Sequence, residues 1–255
     1  MAVSANTLFH FTAKESLKGI LSSQGFFAQY SEEHFENILP ATSIYRVTLI
    51  PLISFCDLTI MQLTRDSVHT TDFGNYGIGL TKKWGIKKRV SPVVYVHENS
   101  QPSTQLYKLI KLFLKYDKEH EAAEIISQTR RELIDSFKFI KPYQGRWQKG
   151  REILRGKGDI VYYNEREWRY SPPLNQSKVL SGIKPSEKKE QVKLNATLKK
   201  KLIRFTPEDI KFIIIEEKNE INEFIKTIDA MSISKKEKNE LITKIITFQE
   251  INEDY

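Results

Sequence analysis

The sequence predicts an α+β protein built on a mixed, twisted and split β-sheet, and three patterns carry that prediction. Short β-rich runs occupy both flanks of the chain, at 8–11, 52–56, 77–80 and 92–97 and again at 159–170, 201–205 and 211–216. Between the flanks, Leu106, Leu109, Ile110, Phe113 and Leu114 recur at helical spacing, which places an α-helical insert over about 103–140. After the last strand, 220–228 and 235–248 read as C-terminal helices. A sheet drawn from both flanks implies one domain over 1–255, with the insert and the helices of about 219–250 attached to it.

Taken in order, 8–11 is a strand, and Thr12 with Glu15 makes a T-x-x-E capping box for a short helix striped by Leu17, Ile20 and Leu21. Gly25 stands where that helix should stop. Residues 31–51 read as irregular, with two prolines, before the strand at 52–56 that Asp57 closes. Gly74, Gly77 and Gly79 lie in and beside the next strand, where a missing side chain lets another backbone or a ligand come close. Thr81 caps a short helix running to Lys88, and PVVYVH at 92–97 is β-rich. Within the insert a polar break at 117–120 separates two helices, and Ala122, Ile126, Leu133 and Phe137 continue the apolar face. The stretch 171–201 is polar and lysine-rich and reads as a long loop with some strand. Thr206, Pro207, Glu208 and Asp209 form the turn between the last two strands.

The 40 Lys+Arg outnumber the 32 Asp+Glu, for a net charge of +8. Such an excess favours polyanions, so nucleic acid is a candidate partner through the basic surface; the plainer alternative is a solvated face biased to lysine. A single cysteine, Cys56, excludes an internal disulfide framework and a cysteine-based zinc site. The N-terminus lacks the basic start and apolar stretch of a signal peptide, and no apolar run approaches the ~20 residues that cross a bilayer. The expected location is the cytoplasm, without membrane association. Histidines 10, 34, 69, 97 and 120 form no ligand-like pair, His69 and Asp72 coming nearest, so no metal is expected.

The stretch 163–170 carries the most chemistry. Strand alternation puts Tyr163, Glu165, Glu167 and Arg169 on one face and Ile160, Tyr162, Trp168 and Tyr170 on the other, the core side. Two carboxylates so placed repel, and an enclosed site raises the pKa of one. A Glu-x-Glu pair suits ribose chemistry, where one carboxylate stabilises an oxocarbenium-like centre while its neighbour orients a nucleophile. The alternative is a solvated edge in which Arg166 and Arg169 balance the glutamates. His10, between Phe9 and Phe11, suits a ribose hydroxyl or phosphate, or else is a hydrogen-bonded core residue. Cys56 reads as a small buried residue rather than a nucleophile. The glycines of 74–79 have the wrong order for a dinucleotide or P-loop fingerprint, although Tyr76 among them can stack on an aromatic ligand.

Four segments together, LFHFT-x-x-E-S-L-x-x-I-L at 8–21, SFCDLT at 54–59, NYGIGLTKKWGI at 75–86 and EREWRY at 165–170, resemble the AbiGi family of abortive-infection (phage-resistance) proteins. The resemblance runs from about residue 8 to about 216 and implies half of a two-gene defence system, with a cognate toxin or antitoxin as partner. A looser resemblance, carried by the His10–Thr12 strand, the Ile20–Leu21 to Gly25 ending of the helix and the late glutamate strand, is to the ADP-ribosyltransferase superfamily. It implies an ADP-ribosyltransferase-like sheet and NAD as substrate. His10 would then hold the adenosine-side ribose, with Thr12 and Ser54 beside it, and Tyr76 would flank the nicotinamide. Glu167 would stabilise the transition state at the nicotinamide-side ribose, with Glu165 at the first position of the pair. The family's middle motif corresponds to Ser54, Phe55 and Cys56 here, and Tyr45 or Tyr95 is as good a match as Tyr76 for its tyrosine. Two functions follow: ADP-ribose transfer to a nucleic acid or protein, or non-catalytic restraint of a toxin, which needs an exposed apolar face on the insert or a C-terminal helix.

Overall fold

The computed structural model describes residues 5–39, 43, 45–63, 74–116, 123–146, 148–149, 152–153, 159–173, 180–181, 188–198 and 202–254. The expected polar break at 117–120, Ala122, and the pair His69 and Asp72 lie outside them.

Among the described residues nine strands join into one sheet. In chain order they are β1 (Thr7–Thr12), β2 (Gln29–His34), β3 (Val47–Cys56), β4 (Tyr76–Thr81), β5 (Ser91–Pro92), β6 (Glu167–Tyr170), β7 (Leu180–Ser181), β8 (Ile210–Ile215) and β9 (Ile245–Thr247). They run in the order β9-β8-β4-β1-β3-β6-β5, with β2 and β7 also on β3. The sheet is mixed, because β9 is parallel to β8 while the other ladders are antiparallel. It divides along β3. The first half of that strand pairs with β2, from His34 opposite Val47 to Gln29 opposite Leu52. The second half pairs with β6, from Tyr170 opposite Ile53 to Glu167 opposite Cys56. Sequence reasoning loses the first half of β3 to Pro51, which sits where β6 has ended and β7 has yet to begin.

Helices cover the sheet on both faces. Alternation along β1 sends Leu8 to one core, with Leu17 and Leu21 of α1 (Lys14–Ser23), and Phe9 and Phe11 to another. Burying each leucine contributes about 1.5–3 kcal/mol. Thr81 caps α2 (Lys82–Lys87) by accepting the Trp84 N–H at 3.2 Å, as its place in the sequence foretells. The insert is α3 (Gln101–Tyr116) and α4 (Ala123–Ser136). Leu106 and Ile110 join a separate core with Phe35, Ile50, Val96 and Phe137, while Leu109 on the same helix stays exposed. At the C-terminus α6 (Ile221–Asp229), α7 (Lys235–Ile242) and α8 (Phe248–Asp254) complete the two sheet layers, following α5 (Lys188–Leu198). Among the described residues no helix is long and apolar enough to cross a membrane.

Several local expectations are corrected. Thr12 stays in β1 opposite Tyr76, so the Thr12–Glu15 box does not form and Ala13 begins α1 without a side-chain cap. Gln24, not Gly25, takes the left-handed C-cap at φ 51. Gly25 instead opens a short strand against Leu202–Arg204, where a Cβ would lie 2.7 Å from the Ile203 carbonyl oxygen. Backbone does come close at Gly74, where a Cβ would lie 2.4 Å from the Thr12 carbonyl oxygen, but at Gly77 and Gly79 the space goes chiefly to side chains, the Phe11 ring at 3.0 Å and the Phe9 ring at 2.8 Å. The polar stretch expected as loop contains α5, which carries a weak apolar pattern. It docks through Leu198, buried in the first core, and through two hydrogen bonds, Asn195 Oδ1 accepting the Tyr30 N–H at 2.7 Å and Gln191 Nε2 donating to the Tyr30 carbonyl at 2.6 Å. Finally, the helix expected to Phe248 ends at Ile242, because Ile245 and Ile246 pair with the open edge of β8.

Candidate functional site

The expected strand at 159–170 does not run through. Tyr162–Glu165 forms a single 3-10 turn, and Arg166 follows in the left-handed region at φ 43 before β6 begins at Glu167. A non-glycine residue there costs on the order of 1–3 kcal/mol, so the surrounding contacts hold it. The kink replaces alternation with convergence: Glu165 and Glu167 both ion-pair with the Lys141 ammonium. The face of β6 read as lying opposite the core is the more deeply buried one. Arg169 is 0% exposed and Glu167 5%, whereas Trp168 and Tyr170 are half-buried against the first core.

Glu167 is the hub. Its Oε1 accepts from Ser54 Oγ at 2.6 Å and Arg169 Nε at 2.6 Å; its Oε2 accepts from Arg169 Nη2 at 3.0 Å and Lys141 Nζ at 2.8 Å. An ionised carboxylate offers about four acceptor positions, so all are used. Arg169 also donates to Glu33 at 2.6 Å and to the Lys138 carbonyl at 3.3 Å. The Tyr95 hydroxyl accepts the Glu167 backbone N–H at 2.8 Å. Five elements thus meet here: β2, β3, β6, the short strand Val94–Val96, and the segment leaving α4.

The electrostatics follow from burial and pairing. Burial alone would raise the Glu167 pKa, but Arg169 and then Lys141 outweigh it and hold the carboxyl well below the usual range. Burial would likewise lower Lys141, yet Glu165 and Glu167 together keep it charged, above the usual lysine range. Three carboxylates face two cations, and Glu165 absorbs the imbalance. Burial raises its pKa first, Glu167 adds to this, and Lys141 only partly offsets the two. The solvated-edge alternative is therefore also corrected: the balance comes from Arg169 and Lys141, in the interior.

Of the other expected site residues Ser54 reaches Glu167, whereas His10, Thr12 and Tyr76 do not. Directly paired residues share a sheet face, so the ladders Phe9 to Cys56 to Glu167 place those three in one row. Ser54, opposite Arg169, belongs to the same face. His10 alternates to the other side, where its ring packs against Phe26 and Phe55 at 5.2 and 5.7 Å. Its Nδ1 hydrogen-bonds the Ser54 carbonyl at 2.8 Å, and burial lowers its pKa, favouring the neutral ring. Thr12 and Tyr76 are opposite one another on that same second face. The Tyr76 hydroxyl is shared between Glu220 at 2.7 Å and Glu216 at 3.2 Å, and its ring stacks on Phe224. Cys56 is buried, and burial, then Glu165 and Asp57, push its thiol far above neutrality, so it is no nucleophile. Among the described residues no group of His, Cys, Asp or Glu is placed to hold a metal ion. Of the three tyrosines considered, Tyr95 is the one that touches Glu167. Sequence reasoning missed Glu33 and Lys141 altogether; an unusual feature of Lys141 in sequence is its position in the apolar run Phe137 to Pro142.

The comparisons with known proteins agree with one another. The family model described as "Putative abortive phage resistance protein AbiGi, antitoxin" matches residues 24–216. An abortive phage resistance protein AbiGi from Lactococcus lactis subsp. cremoris is similar at 27% identity over 249 residues, which span 90% of this chain and 99% of the relative. No solved structure matches the chain, so an ADP-ribosyltransferase-like fold has no structural neighbour behind it. With the family model matching from the end of α1 through β8, the chain belongs to the AbiGi family of abortive phage resistance proteins.

Proposed function

We propose that the chain acts in phage defence as an antitoxin-type protein that restrains a toxin by binding it, without catalysis of its own. One observation carries this reading. The residue types suited to ribose chemistry are consumed internally: Glu167 accepts four hydrogen bonds from Ser54, Arg169 and Lys141, leaving no acceptor for a substrate hydroxyl. His10, the proposed ribose partner, stands on the opposite face of the sheet. The family's description as an antitoxin supports a toxin partner. So do Leu109 and Leu112, one turn apart on α3 and 44% and 47% exposed among the described residues, apolar surface of the kind such binding needs.

The competing reading, ADP-ribose transfer from NAD, keeps one point in its favour: Glu165 and Glu167 do converge, and burial moves Glu165 towards the protonated state of a general acid. Incubation of the purified protein with NAD separates the two. The expected result is no nicotinamide release from either the wild type or Glu167→Gln. Release by the wild type that the substitution abolishes overturns the binding reading. In cells, the paired substitution Leu109→Glu with Leu112→Glu is expected to abolish rescue from the cognate toxin while leaving the thermal melt unchanged.

A further inference from the structure

A second constellation of charge, apart from the Glu167 cluster, lies on α2 and the turn that follows it. Between Asp72 and Glu98 the sequence holds no acid, yet Lys82, Lys83, Lys87, Lys88 and Arg89 fall within one short stretch. Lys82 is engaged inside the protein, its ammonium 2.7 Å from Asp57 and 5.1 Å from the centre of the Trp168 ring. Among the described residues the other four make no salt bridge, and Lys83, Lys87 and Arg89 are exposed. The helix that carries them is firmly seated. Trp84 is buried in the first core with its indole N–H donating to the Arg204 carbonyl at 3.2 Å, and a Cβ on Gly85 would lie 2.5 Å from the Leu8 side chain. What projects is Lys83, Ile86 and Lys87, one face by their spacing, with Ile86 63% exposed.

Two of these cations stand where local physics disfavours them. Lys83 lies in the first turn of α2, where the helix dipole favours an acid and none is present. Arg89 takes the left-handed position after the helix, at φ 62, which glycine ordinarily fills. The cap is complete around it: the Val90 N–H returns to the Gly85 carbonyl at 2.8 Å and the Arg89 N–H to the Ile86 carbonyl at 3.0 Å. The Arg89 charge is felt at Tyr170, where it opposes the rise that burial gives the hydroxyl pKa. Neither placement favours the fold, which points to a use outside it.

We infer that α2 and Arg89 form a docking surface for duplex DNA, with Lys83, Lys87, Lys88 and Arg89 on the phosphates and Ile86 directed into the major groove. Lysine is a point-charge partner for phosphate but is depleted at protein–protein interfaces, so an acidic protein is the poorer fit. No aromatic ring is exposed on α2 for an unpaired base to stack on, which leaves a single strand only its phosphates. B-form DNA carries thymine methyls in a major groove about 12 Å wide, open to a projecting isoleucine. A-form RNA closes that groove to side chains. Trp84 roots α2 in the first core and Leu106 roots α3 in another, so DNA docking and toxin restraint are separate properties.

The test is fluorescence anisotropy of the full chain with a short labelled DNA duplex, its separate strands, and an RNA duplex of the same sequence, each over a range of salt. The DNA duplex is expected to bind tightest. Lys83→Ala with Lys87→Ala is expected to weaken that binding with an unaltered melt and to flatten the log–log salt slope by about 1.8, at about 0.9 per lost phosphate contact. Lys235→Ala with Lys236→Ala removes the same charge from an exposed part of α7 and is expected to leave affinity and slope unchanged. Arg89→Gly is expected to weaken DNA binding while raising the melting temperature, a split that a merely structural arginine would not give. Equal loss from the α7 pair, or displacement by polyglutamate as readily as by unlabelled DNA, overturns the inference and leaves attraction to any polyanion. Wild-type affinity in Arg89→Gly or in the Lys83 and Lys87 pair overturns it too. Single strands or the RNA duplex bound as tightly as the DNA duplex, or no binding at low salt, overturns it outright.

Discussion

One face of the central sheet is built in two different ways. At the β1 and β4 end, Phe9 and Phe11 lie over Gly77 and Gly79 and pack with Ile214, Phe248 and Ile251. At the β6 end, in the same row as Phe9 and Cys56, stand Glu167 and Arg169 with Ser54, Glu33 and Lys141. Both ends are largely buried. The apolar end is held by many small, undirected contacts that degrade by degrees when atoms are removed. The charged end is held by a few directed bonds among groups whose desolvation is severe, so losing one member strands the rest. The comparison teaches that the most enzyme-like residues of this chain are positioned as a structural clamp between the sheet and the segment leaving the insert.

The sharpest way to break the comparison is to remove one charge. Arg169→Ala leaves the buried Glu167 and the partly buried Glu33 without their guanidinium and is expected to cost about 3–5 kcal/mol, read from the urea midpoint. Replacing Glu167→Leu and Arg169→Met together is expected to cost much less than the sum of the two singles. That coupling in a double-mutant cycle measures how far the clamp acts as a unit, and simple additivity would contradict it.

A smaller effect is expected at the apolar end. Gly79→Ala drives a methyl to within 2.8 Å of the Phe9 ring and is expected to cost about 1–3 kcal/mol. Phe9→Leu in the same chain should recover part of that loss, whereas no second apolar change rescues Arg169→Ala.

The smallest effect is at Glu165, and it depends on pH. A carboxyl whose folded pKa is raised adds stability that is full below its unfolded pKa and is lost as pH climbs through the folded value. Glu165→Gln removes that loss, so its stability curve is expected to be flatter than the wild type's above the ordinary carboxylate range. At neutral pH the two should agree within about 1 kcal/mol. Glu167 has the opposite sign: its depressed pKa adds stability above the unfolded value and gives it up only on acidification beyond the normal carboxylate range. Near-ultraviolet dichroism followed through an acid titration is therefore expected to persist in the wild type below the point at which Glu167→Gln has already lost its signal.

Much of the scaffold is legible in the chain because its signals are local. The Thr81 cap needs only Trp84 three residues on, and the stripes of α1 and α3 follow from 3.6-residue periodicity. The strands of the sheet's centre, β1, β4 and β8, are equally plain as β-rich runs. The site is legible only in part. Glu165, Glu167 and Arg169 draw notice by their spacing, but the spacing suggests the wrong geometry, since Arg166 turns left-handed and destroys the alternation. Nothing local announces that Lys141 lies within hydrogen-bonding reach of Glu167, or that Glu33 binds Arg169 across 136 residues of sequence.

The sequence by itself pointed to the class of fold, the helical insert, the family and the charged residues at 165–169, because each rests on composition, period or motif within a short window. Tertiary structure alone decided which face His10 and Glu167 occupy, that α5 and β9 exist, and that Glu167, one of a pair of glutamates suited to chemistry, is instead saturated by its neighbours. Register moves a side chain from one face of a sheet to the other with a single-residue step. A buried charge takes its role from partners that only the folded chain brings to it.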